Sequence, residues 1–145
     1  MGISISDQEI RKLMDDEKWG TLIAIDDGKP YAVETSFAVD DNYLYTGTKF
    51  GGRMNSCLEK NPAAAFKICE GDNRGHNYRA ALVESTAEIL HKKEDIVYCL
   101  NIIYEKLGMS TDNLDQKADN YVAGKASLSL YRLPITKQSG IRSGR

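Results

Sequence analysis

Much of what would assign this 145-residue chain to a common class is missing from it. No run of residues approaches the roughly 18 apolar positions of a membrane span, and Met1-Gly2-Ile3-Ser4 lacks the basic-then-apolar pattern of a secretory leader. A cytoplasmic protein with no membrane partner is expected. The three cysteines, Cys57, Cys69 and Cys99, are odd in number and show no C-x-x-C spacing, which excludes a disulfide framework or a zinc site and predicts reduced thiols. His76 and His91 are isolated, with no Asp or Glu at ligand spacing, so surface histidines and no metal are expected. With 19 Lys and Arg against 21 Asp and Glu, the net charge of −2 lacks the basic excess of a nucleic-acid binder. No Gly-x-Ser-x-Gly elbow announces a serine hydrolase. Neither a repeat nor a low-complexity segment divides the chain. It has the length of one domain, 1–145, in which folding buries roughly 68–70% of the unfolded surface.

Against these absences stands a clear series of elements. Ser6-Asp7-Gln8-Glu9 is a capping box, and Ile10, Leu13 and Met14 continue it as one apolar helical stripe. Residues 20–25 read as a strand, Asp26-Asp27-Gly28-Lys29 as a tight hairpin, and 31–39 as the returning strand. Along that return, Tyr31, Val33, Thr35, Phe37 and Val39 share one face, and Ala32, Glu34, Ser36 and Ala38 the other. Strands are further expected at 43–48, 63–70, 79–90 and 126–133, the long one bending so that it pairs on both sides. Residues 93–107 carry Ile96, Leu100, Ile103, Tyr104 and Leu107 at helical spacing, and Gly108 ends that helix. A short helix is expected near 114–121, and 137–145 reads as a loose tail. Trp19, at a helix-to-strand junction, reads as a core residue. Six strands with hairpin-type turns do not alternate as β-α-β units, so a mostly β (α+β) fold with a closed antiparallel barrel is expected.

The chemistry concentrates in one loop. After the strand ending Tyr45-Thr46-Gly47-Thr48, Lys49-Phe50-Gly51-Gly52-Arg53 sets two cations around a diglycine, where backbone can approach a ligand closely. Met54, Cys57 and Leu58 then mark a short helix that Asn61-Pro62 stops. A helix N-terminus offers unpaired N–H groups and the positive end of a dipole, so with Thr46, Thr48, Lys49 and Arg53 it suits a phosphate. The residues alone leave a second reading open, in which Lys49 and Arg53 are solvated surface cations.

The order strand, Tyr-Thr, basic glycine-containing loop, short helix, Asn-Pro, apolar strand resembles the flavin mononucleotide (FMN) binding split barrels related to pyridoxamine 5′-phosphate oxidase. The likeness runs over roughly 19–107 and extends to the short members, which include 5-nitroimidazole resistance and general-stress proteins. It implies a six-stranded antiparallel split β-barrel with flanking helices, FMN as cofactor, and a homodimer with flavin at the interface. Carried over residue by residue, it implies that Glu34, Thr35, Ser36, Phe37, Tyr45, Thr46, Thr48, Lys49, Gly52 and Arg53 bind the cofactor. The family's phosphate-binding Lys falls on Met54, which passes that work to Arg53 first and Lys49 second. The implied activity is an FMN-dependent oxidoreductase passing reducing equivalents between NAD(P)H and a small-molecule acceptor. The same barrel also fits a non-catalytic flavin- or haem-binding module.

Overall fold

Local signals set the elements, and the elements build one curled antiparallel sheet. The computed structural model describes residues 2–72 and 74–144. A short strand β1 (Gly2–Ser4) precedes helix α1 (Asp7–Asp16). Ser6 caps that helix: its Oγ accepts from the Glu9 N–H at 3.2 Å, while its hydroxyl points to the Glu9 carboxylate at 3.4 Å. Strands β2 (Trp19–Asp26) and β3 (Lys29–Val39) form the expected hairpin. Asp27 and Gly28 turn at φ 51° and 81°, the pair of positive angles that a two-residue turn of this hand requires. β4 (Tyr43–Lys49) leads through the glycine loop into α2 (Arg53–Lys60), and β5 (Ala63–Gly71) and β6 (Tyr78–Thr86) make a second hairpin. The chain continues through β7 (Glu88–Ile89), α3 (Lys93–Leu107), α4 (Leu114–Val122), β8 (Leu128–Pro134) and β9 (Gln138–Ser143). Gly108 closes α3 in the left-handed region at φ 71°.

Among the described residues nine strands form one sheet in the order β1-β9-β6-β5-β2-β3-β4-β8-β7, every neighbour antiparallel. Nine strands rather than six is the first correction. The second concerns residues 79–90, which break at Ala87 into β6 and β7. Ala87 turns its N–H away from the ladder to the carbonyl of Pro62, at 2.8 Å. The expected two-sided pairing survives the break: β6 pairs with β5, and its continuation β7 pairs with β8 at the far edge of the sheet. This curls the sheet into a half-barrel. The third correction is the tail: 138–143 form β9, pairing with both β6 and β1, while Arg145 lies outside the described residues. Gly140 makes that possible, since a Cβ there would sit 2.7 Å from Ile10 and 2.8 Å from Ile5.

Two cores result. The inner one fills the curl with Leu22, Phe37, Leu44, Phe66, Ile68, Val83, Tyr131 and Leu133, plugged by Leu13 and Met14 of α1 and by Met54 and Leu58 of α2. Phe37 and Phe66 tilt against each other at 5.0 Å, and Gly20 leaves the room that the Phe66 ring occupies. The outer core lies between β3, β4, β8 and the helices α3 and α4, with Ala38, Tyr45, Ile96, Leu100, Ile103 and Leu130. Lys106 fastens α3 to α1. Its half-buried Nζ donates to the Met14 carbonyl at 2.7 Å and stands 3.7 Å over the Phe37 ring. Burial lowers this amine from an ordinary 10.5 to about 8. Among the described residues no helix is long and apolar enough to cross a membrane.

Candidate functional site

β3 and β4 pair over only part of their lengths. Phe37 faces Thr46, Ala38 faces Tyr45 and Val39 faces Leu44; before Phe37, β3 pairs with β2 alone, and beyond Thr46, β4 pairs with β8 alone. Where the ladder stops, hydroxyls replace it. Thr35 Oγ1 donates to the Gly47 carbonyl and Thr46 Oγ1 to the Ser36 carbonyl, both at 2.8 Å, so the first backbone acceptors left by the split are satisfied.

A cavity of about 590 Å³ opens there, within the size range of small-ligand sites. Tyr31, Val33, Glu34, Thr35 and Ser36 of β3 form one wall, joined by Trp19. Gly47, Thr48, Lys49, Leu128 and Leu130 form the opposite wall; Leu100, Ile103, Tyr104, Leu107, Met109 and Tyr121 cover it from the helical side. Gly52, Arg53 and Met54 close the end where α2 begins. The lining is therefore mainly aromatic and aliphatic, with its polar groups gathered at the strand edges and the loop. Burial pushes the Tyr121 phenol up to about 12, so the ring presents a neutral hydroxyl.

The loop is shaped by its glycines. Gly51 sits at φ 68°, and a Cβ on Gly52 would come within 3.1 Å of the Lys49 carbonyl. Asn55 holds the loop from below: its Oδ1 accepts from the Gly51 N–H at 3.2 Å while its Nδ2 donates to the buried Tyr131 hydroxyl. Gly52 caps α2 without a side chain, so the first-turn N–H groups have no capping acceptor. Next to it, Thr48 Oγ1 is the one buried side-chain polar atom without a hydrogen-bond partner among the described residues.

Of the residues expected to bind the cofactor, the cavity brings together Glu34, Thr35, Ser36, Thr48, Lys49, Gly52 and Arg53. Three others lie elsewhere. Phe37 is fully buried in the inner core, because the strand's alternation turns it inward where pairing with β4 begins. Tyr45 packs in the outer core between Tyr43 and Tyr98, at 5.9 and 5.4 Å, and burial pushes its phenol up. Thr46 is also fully buried, its hydroxyl committed to Ser36.

Trp19, expected in the core, is instead 63% exposed on the cavity rim. Alternation along β2 places Gly20, Leu22 and Ala24 inward, which turns Trp19 out; that pattern was available in the sequence. The order of the two cations is also altered. Nε and Nη2 of Arg53 both donate to Asp26 Oδ2, at 2.8 and 2.7 Å, and its guanidinium lies 3.9 Å over the Tyr31 ring. The hydrogen bonds from Arg53 to Asp26 hold the guanidinium pKa above its usual range. Lys49 makes no ion pair among the described residues, so it is the uncommitted positive charge at the loop. Glu34 accepts from the Thr21 hydroxyl. The Asp26, Tyr31, Tyr104 and Tyr121 contributions carry no local sequence signal, since each depends on elements distant in the chain. His76 and His91 are exposed, and no cluster of metal-ligating side chains occurs among the described residues.

The curled sheet, the parted strands and the helix-covered cavity define a split barrel. A model of the pyridoxamine 5′-phosphate oxidase family matches residues 6–142, and the chain belongs to that family. Among solved structures it resembles a protein of Bacteroides thetaiotaomicron assigned to 5-nitroimidazole antibiotic resistance, with a TM-score of 0.78, 17% identity, and 100% of this chain and 92% of that one covered. It also resembles an FAD-binding protein of Mesorhizobium loti, with a TM-score of 0.75, 19% identity and 99% of both chains covered. A haem storage protein of Vibrio cholerae gives a TM-score of 0.73 at 17% identity, with 94% of both chains covered. At these identities the likeness is one of fold. No curated protein sequence is detectably similar to the chain. The family includes oxidoreductases and non-catalytic binders.

Proposed function

We propose that the cavity between β3 and β4 binds a flavin nucleotide and that the protein is a flavin-dependent oxidoreductase. The observation that carries this reading is the combination of an aromatic-walled 590 Å³ cavity with an uncapped helix start and the uncommitted Lys49 at one end. A flat tricyclic ring fits the apolar walls, and a phosphate fits the end at Lys49, Gly52 and Arg53. FMN is the smallest flavin with both parts. When bound, the flavin supplies the redox chemistry; the protein binds it, orients it and excludes water. Ser36 and Glu34 stand on the open edge of β3, where backbone groups can meet a ring's polar edge. Lys49 contributes charge to the phosphate beside the first-turn N–H groups of α2. Reducing equivalents come from NAD(P)H and pass to a small acceptor.

The protein acts as a homodimer. Trp19, Phe50, Met109 and Leu128 are exposed apolar residues on or beside the cavity rim, and a second copy would cover them. The haem storage neighbour supports a competing reading, in which the same cavity holds a cofactor without turnover. Titration with FMN, followed by flavin fluorescence, should show quenching at micromolar protein, and NADH or NADPH should bleach the bound flavin. Binding without bleaching or reoxidation faster than free flavin favours the non-catalytic module; no binding of any flavin removes the proposal. Sedimentation should show about twice the 16.2 kDa mass of the chain.

A further inference from the structure

The glycine loop between β4 and α2 spends its own backbone donors inside the protein. The Phe50 N–H donates to the Ser127 carbonyl at 2.9 Å and the Gly52 N–H to the Lys49 carbonyl at 3.0 Å, while the Gly51 N–H goes to Asn55 Oδ1 at 3.2 Å. The diglycine therefore shapes the end of the cavity without offering its amides to a ligand. Of these three tethers, the one at Asn55 alone is made by a side chain, so it is the one that a substitution can cut.

Asn55 is costly where it stands. It is only 5% exposed, on the helix face that buries Met54, Cys57 and Leu58, and burying an amide is unfavourable unless both of its ends are paired. Both are paired here, because Nδ2 donates to the hydroxyl of Tyr131, 76 residues further along the chain. Tyr131 is in turn 2% exposed in the inner core, and its backbone is held from both sides, opposite Thr46 of β4 and Ile89 of β7. Burial pushes its phenol up, so it remains a neutral hydroxyl. Two buried polar groups thus connect a strand paired on both sides to the loop. Lys49, Gly52, Arg53 and Met54 line the cavity, whereas Asn55 and Tyr131 do not, so the pair can act on a ligand only through the loop.

We infer that Asn55, anchored by Tyr131, is the positioning residue for the anion end of the cavity. It holds Gly51 in its left-handed conformation, at φ 68°, and so keeps Lys49 and the first turn of α2 together at that end before any ligand arrives. Selectivity for a phosphorylated over an unphosphorylated flavin is then set by two core residues that never touch the phosphate. The inference rests on the flavin reading above and assigns the residues that control its phosphate selectivity.

The double variant Asn55→Leu/Tyr131→Phe tests this, because it replaces both partners by apolar groups of similar shape and should leave the fold nearly unaffected. In the free protein, the Gly51 amide should exchange with solvent about tenfold faster than in the wild type. In equilibrium titrations FMN should weaken about tenfold, while riboflavin changes by less than about twofold. Tyr131→Phe alone should shift the ratio of FMN to riboflavin affinity in the same direction by about threefold. Leu133→Ala is the control for general destabilisation: Leu133 is fully buried two residues further along β8, and its loss should lower the unfolding midpoint without moving that ratio. Equal losses for FMN and riboflavin in the double variant, or faster exchange at Gly51 with FMN affinity unchanged, would overturn the positioning role while leaving the flavin site standing. A wild type that binds FMN no better than riboflavin would overturn it as well, by removing the phosphate from this loop. Failure of both flavins to bind would overturn the flavin reading itself, and the positioning role with it.

Discussion

The two halves of the β3–β4 pair do opposite things, one closing a core and the other bordering a cavity. In the paired half, Phe37, Ala38, Leu44, Tyr45 and Thr46 are buried, and each faces a partner across the ladder or a core behind it. In the split half, Thr35, Ser36, Gly47 and Thr48 are shorter and more polar, and they border open space. Threonine shows the contrast best. Thr46 is inside with its hydroxyl paired, whereas Thr48, two residues on, is inside with its hydroxyl unpaired. A barrel can therefore build a binding site by ending a ladder early, without a special motif.

Substitutions in the two halves should separate stability from binding. Phe37→Ala, in the paired half, removes a fully buried ring that touches Phe66 and lies beneath Lys106. It should cost about 3–5 kcal/mol in a denaturant titration, enough to threaten the fold. In the split half, Lys49→Ala should leave the unfolding midpoint nearly unchanged and weaken FMN about tenfold, which corresponds to about 1.4 kcal/mol; riboflavin, lacking the phosphate, should barely respond. Loss of stability in Lys49→Ala, with no change in FMN affinity, would erase the distinction.

Thr48→Val sharpens the comparison further. Removing a buried hydroxyl that has no partner should be neutral or stabilise the protein by up to about 1 kcal/mol in a denaturant titration, with flavin affinity unchanged. The same change at Thr46 should destabilise, because the Ser36 carbonyl would lose its donor. The smallest effect concerns Lys106. Below pH 8 its amine is charged in both the folded and unfolded chains, and the cost of half-burying that charge is fully present. Between about pH 8 and 10.5 the folded chain releases a proton that the unfolded chain still holds, so this contribution to stability rises with pH. Melting curves of wild type and Lys106→Met should diverge in the wild type's favour over that window; parallel curves would mean that the amine is not desolvated.

How much of this was legible in the sequence depended on range. The capping box at Ser6, the Asp27-Gly28 turn, the apolar stripe of α2 before Pro62 and the glycine after α3 are signals contained within a few residues, and each element forms where its signal lies. The six strands expected at 20–25, 31–39, 43–48, 63–70, 79–90 and 126–133 are all present, with one broken in two. β1 and β9 were not legible, because Gln138-Ser139-Gly140-Ile141-Arg142-Ser143 has little apolar character of its own. It becomes a strand by docking on the edge of β6 and pairing with residues from the opposite end of the chain. At the site, the loop residues could be read from composition and spacing. The partner of Arg53 could not: Asp26 looks like a turn former, and only the fold brings it beside α2.

The segment that supplies β6 and then β7 carries a consequence for how the protein is made. It is synthesised before β8 and β9, yet it pairs with both, and β4 likewise waits for β8. As the chain emerges, the β2–β3 and β5–β6 hairpins can form promptly and β4 can pair with β3, but the outer edges of β4 and β6 must stay open until the later strands appear. Exposed edges of this kind invite pairing with other chains. Sequence-distant pairings also close late and slowly. Interrupting synthesis shortly before residue 128 would therefore release a chain with two open templates, and a cell would be expected to need a holding chaperone during that interval more than at any other.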